Sequence, residues 1–248
     1  MAGHSKWHNI RLKKGKMDAE RGKAFTRVTK EIIVAARTGG GDPDSNVRLR
    51  NAMLKAREVN MPADNIKRAI QRGTGELEGV TYEEISYEGY GPGGAAVYIE
   101  AMTDNRNRTL PEIRNIFSRS GGNLGESGCV AWMFDSKGLI QIDAQGIDED
   151  ELLMATLDAG AEDIKSDDDV LEIVTAPENL DAVRTAVEEA GYKPTSSEVT
   201  MIPQNTIALA GKEAQQMLRL MDMLEEHDDV QKVHSNFDIP EDILEQIG

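Results

Sequence analysis

The chain has 248 residues, of which 39% are hydrophobic, 29% charged and 4% aromatic, with a formal net charge of -16. This length fits one large domain or two to three small ones, and the apolar content supports packed cores rather than wholesale disorder. A single cysteine, Cys129, excludes a disulfide framework and a cysteine-based zinc site.

That cysteine usage fits a reducing compartment. No apolar run approaches the roughly 20 residues that span a bilayer. Residues 1–10 lack the apolar segment of a secretory signal, so a cytoplasmic location is expected, without membrane contact.

The net charge hides a division. Residues 1–75 carry 17 Lys+Arg against 7 Asp+Glu, a net of +10; the other 11 and 37 give residues 76–248 a net of -26. A solvated face usually mixes signs. Here Lys6, Arg11, Lys13, Lys14 and Lys16 stand in a stretch with no acid at all. Such segregation points to a basic module that meets a polyanion and an acidic body that does not.

In chain order, residues 1–16 show neither a helical nor a strand period and read as an extended basic arm. From residue 18 the pattern is helical: Phe25, Val28, Ile32 and Ala36 share one face, with Lys23, Arg27, Lys30 and Arg37 roughly opposite. Three glycines from Gly39 end this helix. Asp42 followed by Pro43 predicts the N-cap of a second helix, reaching about Val59. A third is expected from Pro62 to Gly73, with Ile66 and Ile70 on one face. Residues 74–81 read as a linker.

Strand character follows. Val97, Ile99 and Ala101 alternate with polar or larger neighbours, and residues 82–88 supply a partner across a glycine-rich connection. Thr109 and Glu112 have capping-box spacing at the start of a helix whose apolar face is Leu110, Ile113 and Phe117. Val130, Trp132 and Phe134 alternate, residues 136–138 read as a turn, and residues 139–142 return as the second arm of a hairpin. Asp148 caps a helix ending near Gly160. Strands are expected at residues 170–174 and 198–202, around Ile207 and Leu209, and weakly at 230–237. Helices carry Leu180, Val183, Val187 and Ala190, then Met217, Leu220, Met221 and Leu224. The order predicts an α+β, multidomain protein: a three-helix bundle, then two ferredoxin-like α/β domains with helices on one face of antiparallel sheets.

Few residues suggest catalysis. Gly89 to Gly94 lacks the Lys-Ser/Thr of a phosphate loop and precedes a strand rather than a helix, which fits a hairpin connection. Residues 103–109, TDNRNRT, form a polar loop suited to helix capping, with Asp104 and Arg106 as minor ligand candidates. Ser127 is not in a nucleophile turn, and Cys129 should be buried and inert. His4 and His8 lack a third ligand, so neither a metal nor a cofactor is expected. The candidate nucleic-acid contacts are Lys6, Trp7, His8, Arg11, Lys13, Lys14, Lys16, Arg21, Lys23, Arg27 and Lys30. The cations would meet phosphates, and Trp7 would either stack on a base or anchor the arm.

The opening MAGHSKWHNI and the run KKGKMDAERGKAF (residues 13–25) are specific, as are EGYGPGG (88–94), TDNRNRT (103–109) and GGNLGESGCVAWMF (121–134). Together they resemble the YebC/PmpR family, which includes mitochondrial translational activators of cytochrome c oxidase. The resemblance spans nearly the whole chain, and its opening motif includes Lys6, Lys13, Lys14, Lys16, Arg21 and Lys23. It implies three domains, the last inserted in the second: residues 1–78, then 79–128 with 203–248, interrupted by 129–202. It also implies no established catalytic residue. Bacterial members are described as DNA-binding transcriptional regulators, and others act on translation, relieving stalled ribosomes. Two functions are therefore expected: a non-enzymatic DNA-binding regulator of transcription, or a ribosome-associated translation factor contacting rRNA, tRNA or mRNA. The acidic domains are left free for a protein partner.

Overall fold

The computed structural model describes residues 17–167 and 170–240. Three helices come first: α1 (Met17–Gly39), α2 (Val47–Glu58) and α3 (Ala63–Thr74). Both shorter helices pack on α1. Their shared core holds Ile32, Ile33, Ala35, Ala36, Leu49, Ala52, Ala56, Met61, Ile66 and Ala69. The small alanines let the helix backbones approach. Gly73 takes this furthest, since a Cβ there would lie 2.5 Å from the Ile33 carbonyl oxygen. It sits inside α3 rather than ending it; Gly75, at φ 82°, is the left-handed cap.

The second helix begins later than Asp42 and Pro43 suggest. Asn46 is its N-cap: Oδ1 accepts from the Leu49 amide at 3.0 Å. Its Nδ2 donates to the carbonyls of Ala35 and Gly40, each at 2.8 Å. One buried amide thus ties the end of α1 to the start of α2, while Asp42 caps only the intervening turn.

The first sheet has four strands in the order β3-β1-β2-β9. They are β1 (Glu83–Tyr90), β2 (Ala96–Thr103), β3 (Asn123–Leu124) and β9 (Val230–Ser235). β2 is antiparallel to both β1 and β9. Helices α4 (Arg106–Arg119) and α7 (Gly211–Glu225) cover one face, packing Ile113, Phe117, Met217, Leu220 and Leu224 onto Val97 and Ile99. α4 begins three residues ahead of Thr109, because Asn105 is the cap and accepts from the Arg108 amide.

The second sheet has the order β5-β6-β4-β7. Its elements are β4 (Phe134–Asp143), α5 (Glu149–Leu157), β5 (Ala161–Asp167), β6 (Val170–Thr175), α6 (Leu180–Glu189) and β7 (Pro194–Pro203). This βαββαβ connectivity is the ferredoxin-like one. The first sheet shares the layering but is connected ββαβ before the second sheet and αβ after it. Residues 136–138 do not turn. β4 is one continuous strand, and Gly138 pairs with Thr175 on one side and Val199 on the other. A Cβ at Gly138 would meet the Thr175 methyl at 2.7 Å, so close packing demands this glycine. Two short parallel strands, β8 (Ile207–Ala208) and β10 (Phe237–Asp238), form a separate pair.

Candidate nucleic-acid interface

Lys6, Trp7, His8, Arg11, Lys13, Lys14 and Lys16, and the His4–His8 pair, lie outside the described residues. Arg21 and Lys23 lie on α1, with Lys23 half-buried. Arg27 and Lys30, expected to face phosphates, are placed elsewhere. The Arg27 guanidinium donates to the carbonyls of Val230, at 3.0 Å, and Glu225. Lys30 is only 5% exposed. Its ammonium donates to the Met102 carbonyl at 3.1 Å, the Asp228 carbonyl at 2.9 Å and the Asp229 carboxylate at 2.8 Å, and lies over the Tyr82 ring. A helix wheel sets Lys30 opposite the bundle core, but that opposite face is covered by the first sheet, so the ammonium is spent on docking the bundle.

Asp229 organises this junction. Its other oxygen accepts from Arg108 at 2.6 Å, Thr109 at 2.8 Å and Thr103 at 3.1 Å. Burial works to raise the Asp229 carboxyl, but Lys30, Arg108 and Thr109 outweigh it and hold it well below the ordinary carboxylate range. The TDNRNRT loop therefore caps α4 through Asn105 and completes the Asp229 cage through Thr103, Arg108 and Thr109. Asp104 pairs with Arg108 at 2.9 Å. Asp229 gave no local signal, because its partners lie up to 199 positions away.

Other cations of the bundle remain open. Arg57, Lys67 and Arg68 are exposed and make no ion pair with another described residue. Their signal was readable: Lys67 and Arg68 fall off the Ile66–Ile70 stripe of α3. Arg48, by contrast, bridges Glu84 and Glu31, which, against the effect of burial, raise its already high pKa.

A second constellation joins the remaining motifs. Glu88 is buried at 3% exposure without a cation. Its oxygens accept from the amides of Gly128 at 2.7 Å, Val130 at 2.8 Å and Ala131 at 2.8 Å. Burial opposes ionisation, yet these three donors hold the carboxyl below its usual value. Trp132 leaves the expected strand: residues Ala131–Met133 form a 3-10 turn and the indole is 67% exposed. Of the glycine-rich run, Gly89 and Tyr90 still pair with β2 at the end of β1, and residues 91–95 are the hairpin connection, shaped by packing. A Cβ at Gly91 would lie 2.6 Å from the Met217 sulfur. Cys129 is half-buried, and burial together with the Glu88 charge raises its thiol, which suits an inert cysteine.

Among the described residues no group of three His, Cys, Asp or Glu could hold a metal ion, and no helix is long and apolar enough to cross a membrane. His227 and His234 each meet one carboxylate, Glu112 and Glu100 respectively.

Two family models match the chain: the TACO1/YebC protein N-terminal domain over residues 5–76, and the TACO1/YebC second and third domain over residues 82–237. The chain belongs to the TACO1/YebC family. A relative from Natranaerobius thermophilus is 59% identical over 248 residues, covering 99% of each chain. One from Pelotomaculum thermopropionicum is 62% identical over 241 residues, covering 96% of this chain and 99% of its own. Both are named "Probable transcriptional regulatory protein". A crystal structure of a conserved hypothetical protein from Aquifex aeolicus has the same fold, with a TM-score of 0.83 and 48% identity over 92% of this chain and 94% of that one. The TACO1/YebC N-terminal model covers the cationic segment, and the second model covers both carboxylate-centred constellations.

Proposed function

We propose that this protein is a non-enzymatic, nucleic-acid-binding regulator of gene expression in the cytoplasm, acting as a DNA-binding regulator of transcription. The observation that carries this reading is the division of charge, +10 over residues 1–75 against -26 over the rest. Each phosphate neutralised by a cation releases counterions, so binding weakens as salt rises. The acidic body repels the same backbone and concentrates phosphate contact on the bundle and its arm, leaving most of that body's surface for a protein partner. Lys6, Lys13, Lys14, Lys16, Arg21 and Lys23 are the proposed phosphate contacts, with Arg11, Trp7 and His8 beside them. Arg57, Lys67 and Arg68 extend the surface. The names of the relatives support a regulatory role.

A ribosome-associated translation factor is the second reading, and one observation favours it. A helix that reads the major groove presents its N-terminal turn to base edges. The first turn of α3 carries Asp64 and no Arg or Lys, and the two arginines in that of α2 are engaged within the protein, Arg48 by Glu31 and Glu84 and Arg50 by the carbonyls of Pro43 and Asp44, so neither turn presents a free donor for guanine. Replacing both Lys13 and Lys14 with Ala should flatten the slope of log affinity against log salt by up to about 2. An unchanged slope removes these lysines from the contact. Parallel duplex titration and ribosome co-sedimentation separate the two readings: ribosome retention with only nonspecific duplex binding selects translation.

A further inference from the structure

Tyr90 and Trp132 stand out at the end of β1 far from the bundle. Trp132 is 67% exposed and Tyr90 39% exposed, although large aromatics normally bury most of their surface. The Trp132 Nε1 and the Tyr90 hydroxyl both donate to the Cys129 carbonyl oxygen, each at 3.1 Å. Their polar atoms therefore lie no more than twice 3.1 Å apart, and both are satisfied without an outside partner. What the pair offers to solvent is ring surface. The loop beneath is fixed by the three amides on Glu88, so the rings are held in place before any ligand arrives.

The surroundings decide what such a surface fits. A stable protein interface needs about 800 Å² from each partner, with an apolar centre. Between residues 82 and 134, Tyr90 and Trp132 are the only large hydrophobic side chains that are strongly exposed. Their rim is Asn123, Gly125, Glu126, Ser127 and Gly128, all exposed. Two rings in a polar, glycine-rich rim are too small for a protein partner and the right size for one or two flat bases. The rings lie on the face of the sheet opposite α4 and α7, since it is Gly89, not Tyr90, that faces Phe117 of α4.

We propose that Tyr90 and Trp132 form a stacking platform for an unpaired nucleobase, so that the bound polynucleotide is single-stranded where it crosses the middle domain. This rests on the nucleic-acid reading above. Base–aromatic stacking tolerates any sequence, because every base has a π-face, and it needs a base out of its duplex. From Glu84, which Arg48 of the bundle holds, to Tyr90 the strand runs about 20 Å.

The test uses the full chain and labelled 12-nucleotide probes, single-stranded DNA, single-stranded RNA and a duplex, followed by fluorescence anisotropy. Trp132→Ala should weaken single-strand binding by about 5- to 150-fold, the range for losing one stacked base, with the salt slope unchanged. Trp132→Phe should recover most of that affinity, and duplex binding should change by less than about twofold. Unchanged single-strand affinity in Trp132→Ala overturns the platform; equal losses on duplex and single strand overturn the unpaired base. Loss of a ribosomal-protein contact with oligonucleotide affinity intact would give the surface to a protein and likewise overturn it. If Lys13→Ala/Lys14→Ala still flattens the slope in any of these cases, the nucleic-acid reading survives alone. If no probe binds the unaltered chain, both fall together.

Discussion

Asp229→Asn probes the junction between bundle and body most directly. The native side chain is 4% exposed, and Lys30 is 6% exposed. An asparagine keeps one acceptor oxygen and must turn its NH2 group either toward Lys30 or toward Arg108, Thr103 and Thr109. In either orientation a cation faces an amide nitrogen. Removing one partner of a buried ion pair costs about 3–5 kcal/mol, because the other charge stays buried. Lys30 would retain the Met102 and Asp228 carbonyls, and the half-exposed Arg108 would retain Asp104. The lower end, about 3 kcal/mol, is therefore expected. A chain of several domains need not unfold in one step, so native-state hydrogen exchange is the appropriate assay. Amides of α1 should lose roughly a hundredfold in protection while those of β4 and β6 hold. Exchange in α1 within about threefold of the unaltered chain, or equal loss across the second sheet, would refute the reasoning. The pH dependence follows from the depressed carboxyl. Its stabilisation is complete above the unfolded value near 3.8 and is lost only as pH falls through the lower folded value. The gap between the two proteins should therefore be flat from about pH 5 to 8 and close only in stronger acid.

Glu88→Gln leaves one oxygen for three amides and should cost about 2–3 kcal/mol, lowering the melting temperature by roughly 4–10 °C. Because the Glu88 carboxyl is also depressed, the unaltered protein should lose this advantage only below the ordinary carboxylate value of 4.5; a gap that closes already at pH 6 would contradict the assignment. Gly73→Ala forces a Cβ to 2.5 Å from the Ile33 carbonyl and should destabilise by about 1–2 kcal/mol after its gain in helix propensity. Gly22→Ala, with open space around its Cβ, should instead stabilise by up to about 1 kcal/mol; chemical denaturation compares the two.

The sequence pattern carried the faces of most helices. Ile32 and Ala36 are buried as their spacing predicts, as are Ile113, Phe117, Val183 and Val187. It failed where two locally acceptable choices were decided by distant packing. Asp42 and Asn46 are both good caps, and Asn46 wins because its amide also reaches Ala35 and Gly40. Residues 136–138 have turn chemistry, but pairing of all three with β7, and of Gly138 also with β6, holds them extended. The charged edge strand β5 pairs only with β6 and shows little alternation, so its sequence AEDIKSD carries no clear strand signal. Trp132 was hidden by its neighbours: Val130 and Phe134 are buried and imply a strand, while the indole between them points outward. For the candidate interface, charge located the module but could not sort its cations. Lys23 and Lys30 look alike in sequence; only the docked sheet distinguishes a half-buried lysine from an ion-paired one.

The two buried carboxylates give the acidic body a role beyond repulsion. Asp229 fixes the orientation of α1, and Glu88 fixes the loop under Trp132, at opposite ends of the same sheet. On the proposed reading, phosphate contacts on the bundle and the base platform are then held at one separation. A polynucleotide caught by one site meets the other at a high effective concentration, but only while the connection stays stiff. Loosening the bundle through Asp229 should accordingly weaken the binding of probes long enough to span both sites, and leave shorter probes almost unaffected. A rigid junction built from buried charge explains why a chain with so many acids places one of them beneath its cationic helix: the interaction that docks the basic module is the same one that sets the distance over which it can act.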